Sequence, residues 1–239
     1  MENTSLWVFG YGSLCWHPGF DYKNSRVGHI KHYVRRFWQG NTTHRGVPGK
    51  PGRVATLVPE KNGRTFGVAY EIEGEAALQY LNSREVELGG YTTEITCFQA
   101  REGCTFPVLL YIATPDSKDW SGPAPPQVIA AEILSCSGAT GHNVEYLLRL
   151  AEFMRDYIPE GYDDHLITLE MLVRSAIKEK KLCLKTLMGN PPPPGQSQHR
   201  SDDDIDMVGP MPAAIVQERR DTFQYSAKVP AKKLRCLNL

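Results

Sequence analysis

Short runs of apolar residues occupy the first half of the chain, and their spacing predicts strands. Residues 6–9 (LWVF) form one such run, which ends in the glycine-hinged loop GYGSL. The segments RVATLV and RTFGVAYEI are separated by Lys61-Asn62-Gly63, a pattern that predicts a β-hairpin with its turn at these three residues. TTEITCFQA and FPVLLYIAT are rich in β-branched and aromatic residues, so we expect two further strands there.

Apolar positions at near-helical spacing predict one helix among the strands and three helices after them. The first is EGEAALQYLNSRE, which Gly89-Gly90 would end. The other three, QVIAAEILSCS, HNVEYLLRLAEFMRDY and DDHLITLEMLVRSAIKEKK, follow a proline-rich turn after Trp120. Asp163 or Asp164 is the expected N-cap of the last helix. Strands first and helices later are typical of an α+β domain rather than of alternating βαβ units.

The periodic pattern stops near residue 189 and divides the chain into two regions. Residues 1–188 are the expected folded domain. Residues 189–239 form an extension that begins with a polyproline run and an acidic cluster, PPPPGQSQHRSDDDIDMVGP. Such a composition cannot bury enough apolar surface to stay ordered, so we expect a flexible, largely disordered tail. Its polyproline run is a candidate site for an SH3 or WW protein partner.

Charge and apolar content exclude several classes of protein. The chain has 239 residues with 27 basic and 27 acidic side chains, whereas a nucleic-acid-binding protein needs a surplus of Lys and Arg. No apolar run approaches the ~20 residues that a membrane helix requires, and the N-terminus lacks the basic region of a signal peptide. We therefore expect a soluble, cytosolic protein that binds neither nucleic acid nor membrane.

The cysteines and histidines give no sign of a metal site. The six cysteines are scattered without a CxxC pair, which is typical of free thiols in a reducing compartment. The tight ligand pairs of structural zinc are absent as well. His29 and His32 form an HxxH pair, but the segment KHYVRRFW is more typical of a strand edge or a surface turn. We expect no metal ligands here.

The GYGSL loop is the first feature with chemical content. Backbone N–H groups in such a loop can hold a carboxylate or a carbonyl oxygen, although a simple tight turn explains the same spacing. Gly10-x-Gly12-x-x-Cys15 lacks the third glycine of a dinucleotide-binding fingerprint, and Lys50 in GVPGKPG lacks the following Ser or Thr of a Walker loop. Cys15 and His17 are close in sequence, which does not establish the spatial pairing of a Cys/His hydrolase.

Glu85 is the candidate general base. It lies at the end of the first predicted helix, in NSREVELGGY, where a carboxylate meets the negative end of the helix dipole. Burial would raise its pKa further, and a raised carboxylate pKa suits a base that works near neutral pH. From the local sequence alone, a solvated glutamate paired with Arg84 is the favoured alternative.

Several segments together resemble the ChaC family of γ-glutamylcyclotransferases. They are WVFGYGSLCW, RRFWQGNTTHRGVPGKPGRVATLV, GVAYEI, REVELGGY, VLLYIAT, GPAP and GATGHNVEYLLRLAE. The resemblance runs from about Trp7 to about Lys185, so the proline- and acid-rich extension lies outside it.

The resemblance implies a fold, a reaction and a set of site residues. The fold would be a small β-barrel with flanking helices, and the substrate would be glutathione, converted without cofactor or water to 5-oxoproline and Cys-Gly. Glu85 would be the catalytic residue, because the Arg84-Glu85 order matches the family, with Glu87 as the alternative assignment. The residues that the resemblance assigns to substrate binding are Val8, Phe9, Gly10, Tyr11, Gly12, Ser13 and Leu14. Tyr146, in a segment that belongs to the family pattern, could hydrogen-bond the substrate or pack as a core aromatic residue.

Other residues are weaker candidates. Tyr91 could hydrogen-bond the substrate or pack as a core aromatic residue. His44 and Arg53 could contact the glycine carboxylate of glutathione or shape a loop. The pair Arg35-Arg36 is expected on the solvated surface.

Two other functions compete with the enzyme. One is a catalytically silent regulator that binds γ-glutamyl groups or anions, which would require Glu85 to lie on the surface. The other is an adaptor that acts through the proline-rich tail.

Overall fold

The computed structural model of the chain describes residues 6–72, 74–87 and 90–189, without the side chains of residues 74–76 and 87. Five strands form its core, and two short strands pair outside it. They are β1 (Trp7–Gly10), β2 (Tyr22–Asn41), β3 (Gly52–Ile72), β4 (Thr92–Ala100), β5 (Thr105–Ile112), β6 (Ser137–Gly138) and β7 (Gly141–His142).

The helices flank these strands. A 3₁₀ turn follows β1, and a π-helical turn extends the first α-helix. The helical elements are the 3₁₀ turn (Ser13–Cys15), α1 (Gly74–Leu81), the π-helical turn (Asn82–Glu87), α2 (Pro126–Ser135), α3 (Asn143–Tyr157), α4 (Asp164–Glu179) and α5 (Leu184–Leu187).

The five long strands close into a barrel in the order β1-β3-β2-β4-β5. Neighbouring strands are antiparallel except at the closure, where β1 runs parallel to β5 with Val8 opposite Leu109. Closure gives each of the five strands two neighbours, although β4 pairs with β2 only at Gly28–Ile30. Large apolar side chains, Phe9, Phe37 and Phe98 among them, are buried in the core. The α+β barrel with flanking helices is therefore confirmed.

The predicted turn at Lys61-Asn62-Gly63 is wrong. Both flanking segments belong to the single strand β3, and both pair with β2. The partner of Lys31 is Arg64, whereas the partner of Tyr33 is Pro59, so residues 60–63 bulge out of the ladder. The ladder resumes after the bulge because the β-like residues on both sides face the same partner strand. The connection between β2 and β3 is instead the loop of residues 42–51.

Arg35 is buried, contrary to the expected solvated pair Arg35-Arg36. The segment KHYVRRFW lies within β2 and pairs with β3, whereas β4 pairs with β2 only at Gly28–Ile30, so among the described strands it is a strand edge and not a surface turn. Because side chains alternate along a strand, Arg35 turns inward and is 2% exposed. Arg36 is half-buried and donates to the Arg35 carbonyl oxygen.

Hydrogen bonds from side chains stabilise the starts of α4 and α3. Of the two predicted N-cap residues, Asp163 rather than Asp164 is the N-cap of α4, and its Oδ1 accepts a hydrogen bond from Leu166 N at 3.0 Å. At the start of α3, the buried Asn143 accepts from Arg53 N at 2.7 Å and donates to Arg53 O at 2.9 Å. These two bonds tie α3 to β3.

Among the described residues, no helix combines the length and apolar character needed to cross a membrane.

The expected division at residue 189 is not tested by the structure. The folded domain of residues 1–188 is described from residue 6 to its end, with the gaps given above. The extension of residues 189–239 lies outside the described residues from position 190 onward.

Candidate active site

Two adjoining cavities lie at the end of β1, where the GYGSL loop leaves the barrel. The outer cavity has a volume of about 250 Å³, and the inner one about 40 Å³. Four residues line both of them and mark the junction: Ser13, Glu85, Tyr91 and Tyr146. A ligand that spans the junction therefore meets Glu85 at its middle.

The GYGSL loop forms one wall of the inner cavity with a row of backbone donors. Residues 13–15 make a 3₁₀ turn in which Cys15 N donates to Gly12 O at 3.0 Å. Within the described residues, nothing accepts a hydrogen bond from the N–H groups of Gly12, Ser13 or Leu14. Three consecutive donors beside a cavity are suited to a negatively charged oxygen.

Gly12 is required by the space around it. A Cβ built on this residue would lie 2.7 Å from the Tyr146 hydroxyl oxygen and 3.8 Å from the Ala55 Cβ. The glycine therefore lets the loop backbone approach α3 and leaves the inner cavity open.

Glu85 lies in the π-helical turn rather than at the end of an α-helix. Its side chain is 15% exposed, so it is not the surface residue that a silent regulator would require. Burial raises the pKa of Glu85 above its usual value, and the nearby positive charge of Arg84 partly opposes this rise. Glu85 Oε1 lies 3.0 Å from Arg84 Nε, although it accepts no hydrogen bond of good geometry from the described residues. This carboxylate is available to a ligand.

Arg84 links the π-helical turn to the loop. Its Nη2 donates to Ser13 Oγ at 2.7 Å, and its Nη1 donates to the carbonyl oxygens of His17 at 3.2 Å and Pro18 at 3.1 Å. The sequence suggested Arg84 only as a partner of Glu85. Its contacts with residues about 70 positions earlier have no local sequence signal.

Tyrosines form the rest of the junction. Tyr91 Oη donates to Ala55 O at 2.9 Å, and Tyr146 Oη accepts from Ala55 N at 3.2 Å. Tyr11 donates to the carbonyl oxygen of Tyr111. Burial, with a smaller contribution from the charge of Glu85, raises the pKa of Tyr146 to about 12. The tyrosines are therefore neutral at physiological pH and act as fixed hydrogen-bonding groups.

The outer cavity is bordered by the loop of residues 42–51 and the turn between β6 and β7. Thr140 donates from Oγ1 to His44 O at 2.9 Å, which joins the two segments. Burial, together with the charges of Arg84 and Arg45, lowers the pKa of His44 to about 4. The residues that line this cavity away from the junction are Trp16, His17, Asn41, His44, Arg45, Val54, Tyr80, Arg84, Ala139 and Thr140.

The structure brings together most of the residues that the sequence identified. Phe9, Tyr11, Gly12, Ser13 and Leu14 line the inner cavity, and Glu85, Tyr91 and Tyr146 line both cavities.

Three candidates lie elsewhere. Val8 packs in an apolar cluster behind the loop, and Gly10 pairs with Val68 in the barrel. Arg53 was expected near the substrate, but its side chain donates to Gly122 O at 2.6 Å and to Glu132. These two acceptors explain why it turns away from the cavities.

Arg45, Trp16 and Thr140 were missed as site residues. Each of the three residues belongs to a segment that resembles the family. These segments are far apart in the sequence, and only their packing in the fold places the three side chains around one cavity. Arg45 is itself held by Glu145, with Nη1 to Oε2 at 2.7 Å.

The Cys/His alternative has no support in the geometry. Cys15 is buried and its Sγ donates to Gly10 O at 3.3 Å. Burial raises the pKa of this thiol to about 12, and a protonated thiol is a poor nucleophile. Among the described residues, no three His, Cys, Asp or Glu side chains come together in a way that would hold a metal ion.

Comparison with known proteins identifies a family. The family model described as ChaC-like protein matches residues 6–176. Glutathione-specific gamma-glutamylcyclotransferase 1 of Mus musculus is 52% identical over 170 residues, which are 69% of this chain and 76% of that protein. The protein of the same name from Danio rerio is 51% identical over 180 residues, 73% of this chain and 92% of that one.

A solved structure shares the fold. It is the crystal structure of a γ-glutamyl cyclotransferase specific to glutathione from yeast, with a TM-score of 0.67 and 29% sequence identity. The match covers 72% of this chain and 97% of the yeast chain.

Proposed function

Because the chain belongs to the family of ChaC-like proteins, we propose that it is a glutathione-specific γ-glutamylcyclotransferase. Its relatives at about half sequence identity carry this name. The observation that carries the proposal is the buried Glu85, whose pKa is raised, at the junction of two cavities and beside a row of backbone donors. The reaction cyclises the γ-glutamyl group and releases 5-oxoproline and Cys-Gly.

The two cavities divide the substrate at its reacting bond. The inner cavity holds the end of the γ-glutamyl group against the loop of Gly12, Ser13 and Leu14. The larger outer cavity holds the Cys-Gly part, with His44 and Arg45 among the residues that line it. The γ-amide bond then lies at the junction, beside Glu85. The larger cavity beside the smaller one, with His44, Arg45 and the loop donors around them, supports this placement of glutathione.

The substrate supplies its own nucleophile. The α-amine and the γ-carbonyl belong to the same glutamyl unit, so attack of the amine nitrogen on the γ-carbonyl carbon closes a five-membered ring. Holding the unit in the ring-closing geometry can lower the barrier by about 7–11 kcal/mol. The carbon–nitrogen bond to the cysteinyl residue breaks as the ring forms, and no water is consumed.

Glu85 moves the protons. An α-amino group with a pKa of about 8 is mostly protonated at neutral pH and cannot attack in that form. The Glu85 carboxylate accepts a proton from this nitrogen and delivers one to the departing nitrogen of Cys-Gly. In total two protons pass from the attacking nitrogen to the leaving nitrogen, and Glu85 ends the cycle ionised. A raised pKa brings the carboxylate closer to the amine in basicity, which favours this transfer.

The loop donors stabilise negative charge on the glutamyl unit. The N–H groups of Gly12, Ser13 and Leu14 are positioned for the α-carboxylate or for the oxyanion that develops on the γ-carbonyl. One donor that is well placed for the oxyanion stabilises the transition state by about 3–4 kcal/mol. Arg84 keeps this loop beside Glu85 through its bond to Ser13.

A substrate panel tests the proposal. Purified full-length protein is incubated with glutathione or with γ-glutamyl amino acids, and 5-oxoproline and the released amine are quantified by mass spectrometry. We expect 5-oxoproline and Cys-Gly in equal amounts from glutathione and much slower turnover of γ-glutamyl amino acids. Binding of glutathione without any 5-oxoproline would favour the silent regulator and overturn the proposed enzyme.

We further propose that the reaction takes place in the cytosol. The described cysteines are free, two buried and three exposed, as expected in a reducing compartment. Fractionation of cells that express the tagged full chain is the test, and recovery in a secretory fraction would contradict the proposal.

A further inference from the structure

Arg35 is a buried cation that reaches the substrate-binding loop from behind. Its side chain is 1% exposed and contacts neither cavity. Nε donates to Tyr11 O at 2.8 Å, Nη2 to Phe66 O at 2.6 Å and Nη1 to Asp163 Oδ2 at 2.9 Å. One guanidinium thus joins the loop, the strand β3 and the N-cap of α4.

The bond to Tyr11 fixes the orientation of one peptide group. In a trans peptide the C=O and the following N–H point in opposite directions. When Arg35 holds the Tyr11 carbonyl on its own side, the Gly12 N–H points to the opposite side. Gly12 lines the inner cavity and its N–H has no acceptor among the described residues. The direction of this donor therefore depends on the Arg35 bond.

Among the described residues, Arg35 is the group that holds the carbonyl end of the Tyr11–Gly12 peptide. The Tyr11 side chain is anchored by its hydroxyl group to the Tyr111 carbonyl oxygen, but this bond lies at the far end of the ring. A rotation of the Tyr11–Gly12 peptide would turn a carbonyl oxygen toward the cavity in place of a donor. A carbonyl oxygen there would repel the negatively charged oxygen of the glutamyl unit.

We propose that Arg35 is a positioning residue for the reaction, which holds the Tyr11–Gly12 peptide so that the Gly12 N–H faces the glutamyl group. The inference rests on the proposed function for the identity of the substrate. The role of Arg35 in orienting the loop does not depend on that function. The planar fork of arginine is needed, because a single ammonium group cannot reach the three acceptors in their fixed arrangement.

Arg53 provides a matched control. It is also a buried arginine on the barrel, and it also donates to a backbone carbonyl, Gly122 O, and to a carboxylate, Glu132. Its contacts lie away from the loop. Arg53→Lys and Arg35→Lys each disturb one buried guanidinium, but only the second releases the Tyr11 carbonyl.

The test compares kcat and KM for glutathione together with the amide NMR signals of the loop. For Arg35→Lys we expect kcat/KM to fall at least ~10-fold, and for Arg35→Met about 10²-fold, the usual effect of losing one donor. Arg53→Lys is expected within about twofold of wild type, since the Arg53 side chain contacts Gly122 and Glu132 and lines neither cavity. The amide resonances of Gly12 and Ser13 should shift, and their hydrogen exchange change, in Arg35→Lys but not in Arg53→Lys.

Two results would overturn the inference: equal losses in the two lysine variants, or unchanged loop amides and unchanged kcat/KM in Arg35→Lys. If Arg35→Met does not fold, Arg35→Lys decides. If the wild-type protein does not turn over glutathione, the proposed function fails, and the amide signals alone decide whether Arg35 orients the loop.

Discussion

Arg84 donates a hydrogen bond of 2.7 Å to the hydroxyl oxygen of Ser13, and the same guanidinium lies 3.0 Å from the carboxylate of Glu85. The GYGSL loop, which we propose to bind the substrate, and the proposed base are thus held by one side chain. A substitution of Arg84 therefore removes the hydrogen bond to the loop and the positive charge beside Glu85 together, whereas substitutions of Glu85, His44 or Gly12 each change one property of the site.

Glu85→Gln should abolish most of the activity without loss of the fold. The amide occupies the same space but cannot accept the amine proton, so we expect kcat to fall by about 10²–10⁴-fold. Glutathione binding, measured by calorimetry, should persist. The control is Glu87→Gln, two positions along the same π-helical turn, which should be mild. Comparable losses in both variants would show that the base is assigned to the wrong residue.

The pH dependence of kcat/KM should show the raised pKa of Glu85. The base must be ionised, so activity is lost as the pH falls through this pKa, and the acid limb should lie above the usual glutamate value of 4.5. Arg84→Met removes the charge that favours the ionised form, so its acid limb should move to higher pH. An acid limb that moves to lower pH in this variant would contradict the electrostatic account.

His44 should not contribute to the acid limb of the kcat/KM profile. Burial and the neighbouring arginines lower its pKa to about 4, so it is neutral throughout the range from pH 5 to 8. In His44→Asn we expect a change in KM, because the side chain lines the outer cavity, with the acid limb of the kcat/KM profile unmoved. A displaced limb would assign the titration to His44 instead.

Gly12→Ala should close the inner cavity. The added methyl group would lie 2.7 Å from the Tyr146 hydroxyl oxygen, and we expect kcat/KM to fall at least ~10-fold, as for other overpacked sites. Tyr146→Phe removes the clashing oxygen. The double variant should therefore retain more activity than the product of the two single effects predicts, which a double-mutant cycle measures. Additive losses would mean that the methyl group acts elsewhere.

Asn143→Ala should destabilise the fold. It leaves the buried N–H and C=O of Arg53 without their partners, and each unsatisfied group costs about 1–3 kcal/mol. The free energy of unfolding in urea should fall by about 2–6 kcal/mol in total. Asp156→Ala on the exposed side of the same helix is the control, with a change within about 0.5 kcal/mol.

A chain that ends at Gly189 should keep its activity. Within the part of the chain that the structure describes, the residues that line the two cavities lie between Phe9 and Tyr146, and we expect kcat/KM for glutathione to stay within about twofold of the full chain. Binding of an SH3 or WW domain to the proline-rich segment remains a prediction, and pull-down with the full and shortened chains tests it. Loss of turnover on shortening would show that the extension contributes to the site.

The secondary structure followed from local patterns where a local signal was sufficient. β-branched runs marked the strands, and Asp163 marked the start of α4. The prediction of a turn at Lys61-Asn62-Gly63 was wrong because the residues that form turns also occur in bulges. Only the pairing of both flanking segments with β2 distinguishes a bulge from a turn. The predicted exposure of Arg35 was wrong for a related reason. The sequence shows a charged residue in a strand but not which hydrogen-bond acceptors the fold will place around it.

The sequence by itself determined the chemistry that is available: a glycine loop rich in backbone donors, a glutamate next to an arginine, and the family to which these segments belong. Only the tertiary structure decided how they work together. The closed barrel brings Ser13, Glu85, Tyr91 and Tyr146 to one junction, leaves the Glu85 side chain only 15% exposed and turns Arg35 toward the loop. A pKa and the direction of a donor depend on what surrounds a group in space, and those neighbours come from distant parts of the chain.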